Sequence, residues 1–276
     1  MKIDAEKGNG VNLAKQFNVR GYPTTVFVNR SGEEVDRIVG YLPIKRWLEE
    51  IQRINQGKNT YQSLEEQVDQ NPEDSDLLIR FAEKVEQRNR TSERIPELWQ
   101  RIRSLTEEGS EQYIRAEFKI AQYQAMATGK PSPLQGFIDA YPEAPQQMDA
   151  YNTLLSLHRN AGNIEQEIET FQAMVKTARA QGEVTPSLLN GYAWRMAELD
   201  TNLKDALAKA EQAVEMTKSA DPQTRAQILD TQAEVLWKLG QTAQAVKIIN
   251  KCIELQPDDE YFKKQKNKFM GESSGV

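Results

Sequence analysis

The sequence predicts a mainly α-helical fold with a short α/β segment at its N-terminus. Strand signals are confined to the part of the chain before Pro43. From about Tyr61 to Phe269 the strand signals vanish, and within this part three copies of a helical hairpin align at a constant offset of 39 residues. The strand signals predict the α/β segment, and the constant offset predicts a stack of helical hairpins.

The N-terminal segment alternates between strand and helix signals. "MKID" indicates the end of a strand, and "NLAKQF" places Leu13, Ala14 and Phe17 on one helical face. The β-branched and aromatic run "TTVFV", the turn "NRSG" and the run "EEVDRIVGY" follow. This order predicts an antiparallel β-hairpin.

A second helix is predicted from Pro43, because proline suits the start of a helix. Its apolar residues recur on one face, at Ile44, Trp47, Leu48, Ile51 and Ile54. The polar stretch "NQGKNT" closes it. The sequence therefore predicts one domain at residues 1–57 and a second at residues 61–270.

The offset of 39 residues aligns three copies of a helical hairpin. Gly162 and Gly240 fall at the turn between the two helices, together with Thr201. Ala213 and Cys252 share one position of the second helix with Met174, in a pattern of small residues where helices cross closely. Two more divergent hairpins are predicted upstream, from "SDLLIRFAEKVEQRN" with "RIPELWQRIRSL" and from "YIRAEFKIAQYQAMATGK" with "PLQGFIDAYP". The polar end "DEYFKKQKNKFMGESSGV" predicts a last capping helix and a frayed tail.

This pattern resembles the tetratricopeptide repeat (TPR), a helical hairpin with a unit of about 34 residues. The period is longer here, and the extra residues fall in polar links such as "TKSADPQT". Added loop length costs little there, because closure entropy grows only logarithmically. The resemblance implies a TPR-like helical-hairpin superhelix whose concave surface binds a protein or peptide partner.

The first 55 residues resemble the C-terminal half of a thioredoxin-like domain. The order of strand, helix, Pro-containing loop, strand, turn, strand and Gly carries this resemblance, in "KIDAEKGNGVNLAKQFNVRGYPTTVFVNRSGEEVDRIVGY". It implies a cis bond before Pro23 and a substrate-binding role for Tyr22, Pro23 and Thr24, with Tyr22 offering backbone groups to an extended strand. A purely structural role for Tyr22 and Pro23 in the turn stays open. Full-length relatives of this kind are thiol-disulfide oxidoreductases, typically bacterial and often exported.

The redox motif of that family, a C-x-x-C at a helix N-terminus, is not in this sequence, whose one cysteine is Cys252. The chain therefore looks like an N-terminally truncated thioredoxin-like protein whose dithiol half would precede Met1. We expect the remaining segment to be weakly stable or to need a partner that covers its unpaired strand edges. We also expect that the chain itself does not catalyse disulfide exchange. Two functions stay open: disulfide handling by the parent protein, with the repeats holding its partner, and a redox-inactive scaffold or adaptor.

Composition argues against several other classes. The 41 acidic and 35 basic side chains are interleaved, with a net charge of -6, which disfavours a nucleic-acid partner. One cysteine and one histidine cannot form an internal disulfide or a usual zinc site, and we expect neither metal nor cofactor. No apolar run approaches the roughly 20 residues of a membrane span. "MKIDAEKGNG" lacks a secretory signal, so the compartment is not predicted.

Five further residues could carry function or only pack. Cys252 occupies an alanine-type position and is expected to be a buried small hydrophobe. His158 has no catalytic constellation beside it in sequence and is expected to be structural. Trp99, Trp194 and Trp237 could line a peptide groove, although core packing is favoured for them.

Overall fold

The computed structural model describes residues 3–271, which form 14 helices and one two-stranded sheet. The chain falls into two compact units, Met1–Ala150 and Tyr151–Val276. In the part described, no helix has the length and apolar character needed to cross a membrane. The mainly α fold class with an N-terminal α/β segment is confirmed.

The first unit begins with the α/β segment and continues with helices. The segment contains α1 (Asn9–Gln16), β1 (Thr24–Val28), β2 (Glu34–Val39) and α2 (Ile44–Asn55). The helices that follow are α3 (Tyr61–Gln70), α4 (Ser75–Arg88), α5 (Arg94–Leu105), α6 (Glu111–Thr128) and α7 (Ser132–Ala140). The apolar faces of α3 to α6 share one core, in which Trp99, Phe81 and Leu78 are almost fully buried.

The second unit is all helical. Its elements are α8 (Gln147–Ala161), which starts just before the division, α9 (Ile164–Gln181), α10 (Pro186–Glu198), α11 (Leu203–Met216), α12 (Pro222–Lys238), α13 (Thr242–Leu255) and α14 (Glu260–Met270). A core between α12, α13 and α14 contains Leu229, Ile249 and Phe262.

The predicted hairpin is present, with β1 antiparallel to β2 and Thr25 opposite Ile38. Asn29 organises the turn, because its side-chain oxygen accepts hydrogen bonds from the backbone N–H groups of Ser31 and Glu33 at 2.9 and 3.0 Å. An Asx-type contact of this kind fixes a tight turn between two strands.

The predicted strand end at "MKID" is wrong for the part of it that the structure describes. Ile3 and Asp4 are irregular. The backbone carbonyl of Asp4 accepts from the N–H of Lys7 at 3.4 Å, and its side chain accepts from the N–H of Glu6 at 3.0 Å. These bonds close a turn that leads directly into α1, and Ile3 and Asp4 are not part of the two-stranded sheet.

The five predicted hairpins correspond to α4/α5, α6/α7, α8/α9, α10/α11 and α12/α13, with α14 as the predicted last helix. Gly162 and Gly240 follow α8 and α12 with φ of 70° and 78°, a left-handed conformation that favours glycine. At the aligned Thr201 the left-handed residues are instead its neighbours Asp200 and Asn202. Asp and Asn tolerate this conformation better than a β-branched residue does.

The small residues of the last hairpin are buried as predicted. Ala233 of α12 and Ala245 and Cys252 of α13 are all 0% exposed. Helix α3 was not predicted as a separate helix. Its start is fixed by a capping box in which Thr60 and Ser63 hydrogen-bond reciprocally. Of the predicted frayed tail, all but Gly271 lies outside the described residues.

Candidate functional site

The three residues that the thioredoxin-like resemblance singled out lie together at the start of β1. The Tyr22–Pro23 peptide bond is cis, as the resemblance implies. Tyr22 is 60% exposed, and the Thr24 hydroxyl donates to the Gly21 carbonyl at 2.7 Å. The Pro23 carbonyl accepts from the backbone N–H of Gly40 at 2.8 Å. The turn is therefore fixed to β2 while the tyrosine side chain remains open to solvent.

The outer edge of β1 is available for pairing. Within residues 3–271, β1 has β2 as its one sheet neighbour. In the same range, no hydrogen bond engages the backbone N–H or carbonyl of Tyr22. An unpaired strand edge of this kind can accept an extended peptide by strand addition.

The apolar face of α2 is only partly covered. Ile54 is buried, whereas Leu48 is 56% and Ile44 is 77% exposed. The amphipathic pattern predicted the helix correctly, but the packing covers only its C-terminal half. Tyr41, in the segment just before α2, is 83% exposed.

Strand β2 carries buried charged side chains. The side chains of Glu34 and Arg37 are 2% and 4% exposed, and the guanidinium Nε lies 2.6 Å from the Glu34 carboxylate. Arg37 also donates from Nη2 to the Phe17 carbonyl at 2.6 Å, beyond the end of α1. The buried pair therefore ties β2 to the chain after α1.

Asp36 is the centre of a second buried network. Its side chain is 1% exposed and accepts from Arg53 Nη2 of α2 at 2.6 Å and from Lys84 Nζ of α4 at 2.8 Å. Since Lys84 belongs to the first predicted repeat, this carboxylate fastens the thioredoxin-like segment to the helices that follow it. Sequence reasoning missed the network, because alternation along β2 does not reveal which distant cation faces it.

The single thiol lies in the core of the second unit. Cys252 is 0% exposed, and its sulfur lies 3.4 Å from the Ala226 carbonyl. Burial raises the pKa of this thiol to about 12. A protonated, buried thiol is a poor nucleophile, which agrees with the structural role expected for it.

His158 is buried as well. Its Nδ1 has no hydrogen-bond partner among the described residues. Burial lowers the pKa of the imidazole, against the opposing effect of Glu167 and Glu169. His158 is therefore a neutral packing residue of α8 at pH 7. No group of three or more His, Cys, Asp or Glu residues in the described chain could hold a metal ion.

The three tryptophans considered for a peptide groove differ in their surroundings. Trp99 is 0% exposed and donates its indole N–H to Glu86 at 2.7 Å, so core packing holds for it. Trp194 and Trp237 are only half-buried, and both line an open pocket of about 360 Å³ formed by α10, α12 and α14. The core packing favoured from the sequence is therefore incomplete for Trp194 and Trp237, which are partly open to this pocket.

The pocket around Trp237 combines an aromatic wall with a fixed ion pair. Lys268 of α14 donates from Nζ to both carboxylate oxygens of Glu234 at 2.7 Å. The same ammonium lies 4.6 Å from the centroid of the Trp237 ring, a cation–π distance. The Trp237 ring in turn packs against Phe269, with centroids 5.7 Å apart. The α12 wall of the pocket is therefore ordered by α14.

The rim beside Trp194 is held by a second set of ion pairs. Arg195 binds the buried carboxylate of Glu167 through two nitrogens, each at 2.8 Å, and also contacts Glu198 at 3.1 Å. Burial alone would raise the pKa of Glu167, but the hydrogen bonds from Arg195 and Arg159 outweigh it and hold that pKa below its ordinary value. Glu198 lies at the rim beside Arg195, with a side chain 46% exposed.

Family models match both parts of the chain. A thioredoxin-like domain model matches residues 4–55, and a tetratricopeptide repeat model matches residues 226–259. The chain therefore combines a thioredoxin-like segment with TPR-type helical repeats.

Solved structures with similar folds are TPR proteins. YrrB, described as a TPR protein with an unusual peptide-binding site, has 16% identity and a TM-score of 0.50, over 74% of this chain and 97% of its own. A protein of nearly identical TPR-like repeats from a Podosopora anserina putative kinesin light chain has 14% identity and a TM-score of 0.49, over 67% of this chain and 96% of its own. No curated protein sequence matches the chain.

Proposed function

We propose that the chain is a peptide-binding scaffold whose pocket at Trp194 and Trp237 holds an extended segment of a partner protein. The observation that carries the proposal is the pair of half-buried indole rings on one open pocket. Large aromatic side chains in such positions are typical anchors of protein interfaces.

The chemistry of the pocket suits an apolar peptide side chain with polar neighbours. The two indole rings and Ala197 provide an apolar floor, while Lys238 and Glu198 stand at the rim. An apolar anchor gains most of its free energy from burial against the rings. The rim charges can then bind polar groups on either side of that anchor.

The support for the pocket is rigid. Each wall belongs to a helix, and ion pairs at Glu234 and Glu167 fix the helices that carry the two tryptophans. Sites on helices hold their geometry better than sites on loops, which lowers the entropic cost of binding. The TPR fold shared with YrrB, a protein described as peptide-binding, supports the same class of function.

A random library of 12-residue peptides, selected on the full chain, tests the proposal. We expect enriched peptides to share an aromatic or large aliphatic anchor. In fluorescence anisotropy, Trp194→Ala should weaken their binding by about tenfold or more, which corresponds to about 1.4 kcal/mol. Trp47→Ala removes an indole outside the pocket and should leave the affinity unchanged.

Two outcomes would contradict the proposal. One is an absence of enriched peptides. The other is enrichment of peptides whose affinity is the same for the wild type, Trp194→Ala and Lys238→Glu. The Lys238→Glu variant is included because it reverses a charge at the rim while both indole rings stay in place; it also removes the contacts of Lys238 with Asp200 at 4.0 Å and with the Trp237 ring at 5.6 Å, so circular dichroism must show that it is folded.

A second surface for the same partner is the edge of β1 with Tyr22, Pro23 and Thr24. The support is the exposed Tyr22 and the unpaired outer edge of β1. Addition of reduced, carboxymethylated lactalbumin, an unfolded chain, should slow hydrogen exchange at the amides of residues 22–28. The amides of β2, already paired with β1, should change little, and unchanged exchange at residues 22–28 would refute this surface.

A further inference from the structure

A second cavity, of about 360 Å³, opens in the first unit between α6 and the loop that joins α7 to α8. Its lining residues are Glu111, Ile114, Tyr141, Pro142, Glu143, Ala144, Pro145 and Gln146. Most of the lining is therefore one short stretch of loop packed beside the first turns of a helix. The cavity has no part in the pocket at Trp194 and Trp237.

The loop that forms the cavity is held in place. Gln147, with a side chain in the core, donates from Nε2 to the carbonyls of Ile138 and Tyr141 at 2.9 and 2.7 Å. Ala144 is buried at 6% exposure, and prolines on both sides of it restrict the backbone. The cavity is therefore a preformed shape and not a gap beside a free loop.

The electrostatic surroundings of the cavity are negative. Neither Glu111 nor Glu143 forms an ion pair with any residue between 3 and 271. Burial raises the pKa of the Tyr141 hydroxyl, and the carboxylates of Glu117 and Glu108 raise it further. Arg103 is the nearby cation that opposes them, and it is already paired with Glu117 at 3.1 Å.

One acceptor in this region lacks a donor. Gln146 Oε1 is buried and has no hydrogen-bond partner in the described chain. Buried carbonyl-type oxygens are nearly always paired, so an oxygen left unpaired beside a cavity favours a ligand that donates a hydrogen bond.

We propose that this cavity binds the arginine or lysine side chain of a basic peptide segment. The alkyl stem of such a residue packs against Ile114 and the two prolines, as long cationic side chains do on apolar surfaces. Its charged head reaches the carboxylates of Glu111 and Glu143 and donates to Gln146 Oε1. An anionic ligand would meet like charge, and a purely apolar one would leave the Gln146 oxygen unpaired.

A fluorescein-labelled 12-residue peptide with three arginines spaced by alanine and leucine tests this inference, in anisotropy titrations of the full chain. Its partner probe replaces each arginine by citrulline, which keeps the shape and removes the charge. We expect the arginine peptide to bind at least tenfold more tightly. Glu111→Gln with Glu143→Gln should reduce that binding about tenfold.

The matched control is the double variant Glu93→Gln with Glu97→Gln. It changes the net charge of the chain by the same amount at exposed carboxylates of α5 and its start. We expect it to bind the arginine peptide as the wild type does. Equal loss in both double variants would overturn the proposal, since it would show attraction to net charge alone.

Gln146→Leu separates the acceptor from the carboxylates. This substitution keeps the size of the side chain and removes the unpaired oxygen. It should weaken binding of the arginine peptide several-fold and weaken binding of the citrulline peptide less. Binding that is the same for both peptides, or unchanged in both Gln146→Leu and the Glu111/Glu143 double variant, would overturn the proposal. Circular dichroism at the temperature of the titration confirms that each variant is folded.

Discussion

The thioredoxin-like segment and the helical repeats bury apolar and charged side chains in different proportions. In the repeats, Leu189 and Ala233 are 0% exposed. In the segment, Ile44 and Leu48 are more than half exposed, while the carboxylate of Asp36 is 1% exposed. The repeats are stabilised mainly by buried apolar side chains, whereas buried ion pairs fix the segment to the helices that follow it.

The difference follows from how much surface each region can cover. A helical hairpin in a stack buries its apolar faces against its neighbours, so burial accumulates along the chain. A two-stranded sheet is too small to cover α2 fully, and β2 instead contacts α4 through Lys84. Buried ion pairs gain little net stability, but the loss of one partner leaves a costly uncompensated charge. The segment therefore depends on every member of its network.

The largest expected effect comes from a matched pair of leucine truncations. Leu189→Ala should lower the free energy of unfolding by about 2–5 kcal/mol, because it opens a cavity in a packed helical core. Leu48→Ala should change it by less than about 0.5 kcal/mol, because that side chain is 56% exposed. Urea titrations followed by circular dichroism measure both. A Leu48→Ala cost as large as that of Leu189→Ala would show that the exposed face of α2 is covered in solution.

A comparable loss is expected from Asp36→Asn, which tests the charged side of the comparison. The substitution removes the negative charge that faces Arg53 and Lys84, and one of the two acceptor oxygens, while keeping the shape of the side chain. We expect a loss of about 3 kcal/mol, in the range for breaking a buried pair. Faster hydrogen exchange at residues 24–39, measured beside the repeats, would locate the effect. Glu49→Gln, at an exposed position of α2, is the control and should change neither quantity.

The sequence predicted the repeats more completely than the segment, for a physical reason. Gly162 and Gly240 indicate turns because glycine favours the left-handed conformation found there, and the constant offset of 39 residues repeats the pattern along the chain. The partners of Asp36 are 17 and 48 residues away, and nothing local in the strand indicates them. A local sequence pattern is enough to predict a helix or strand, whereas a charge network depends on which helices and strands pack against one another.

The same limit applies to the candidate sites. Alignment of Trp194 with Leu155 and Ala233 reports its position along a helix but not whether a neighbouring helix covers it. No sequence signal indicated the cavity beside Tyr141 and Gln146, because it exists only where that loop lies next to the first turn of α6, which begins at Glu111. The site at Tyr22 could be named in advance only because a family resemblance covers it, and its role stays a prediction.

A smaller effect concerns Asp230, one of the buried carboxylates of the repeats. Asp230 of α12 is 5% exposed and accepts from the Tyr261 hydroxyl at 2.9 Å and from Gln265 at 3.4 Å, with Glu234 and Lys268 nearby. Burial raises the pKa of Asp230 to about 6. Because the folded pKa lies above the unfolded value, its contribution is fully present below about pH 4 and is lost as the pH rises through 6.

Asp230→Asn should therefore flatten the dependence of unfolding free energy on pH between about pH 4 and pH 7. The wild type should lose on the order of 2 kcal/mol from this group over that window, relative to the variant. Urea midpoints at four pH values measure the difference. Asp258→Asn, at an exposed position before α14, should keep the wild-type slope. A slope that is the same in all three proteins would show that Asp230 is ionised without cost.

The last prediction is that one activity is absent, and it concerns the disulfide chemistry of thioredoxin-like proteins. Thioredoxin-like turnover needs one thiolate to attack a disulfide and a second thiol to resolve the mixed disulfide. This chain has one cysteine, and burial raises the pKa of that thiol to about 12. In an insulin-reduction assay with dithiothreitol, we therefore expect both the chain and Cys252→Ala to stay at the background rate. Labelling of native Cys252 by a thiol reagent should be slow and should accelerate on unfolding. Activity lost in Cys252→Ala would make the repeats the redox region, and activity that survives it would place the chemistry outside any thiol of this chain.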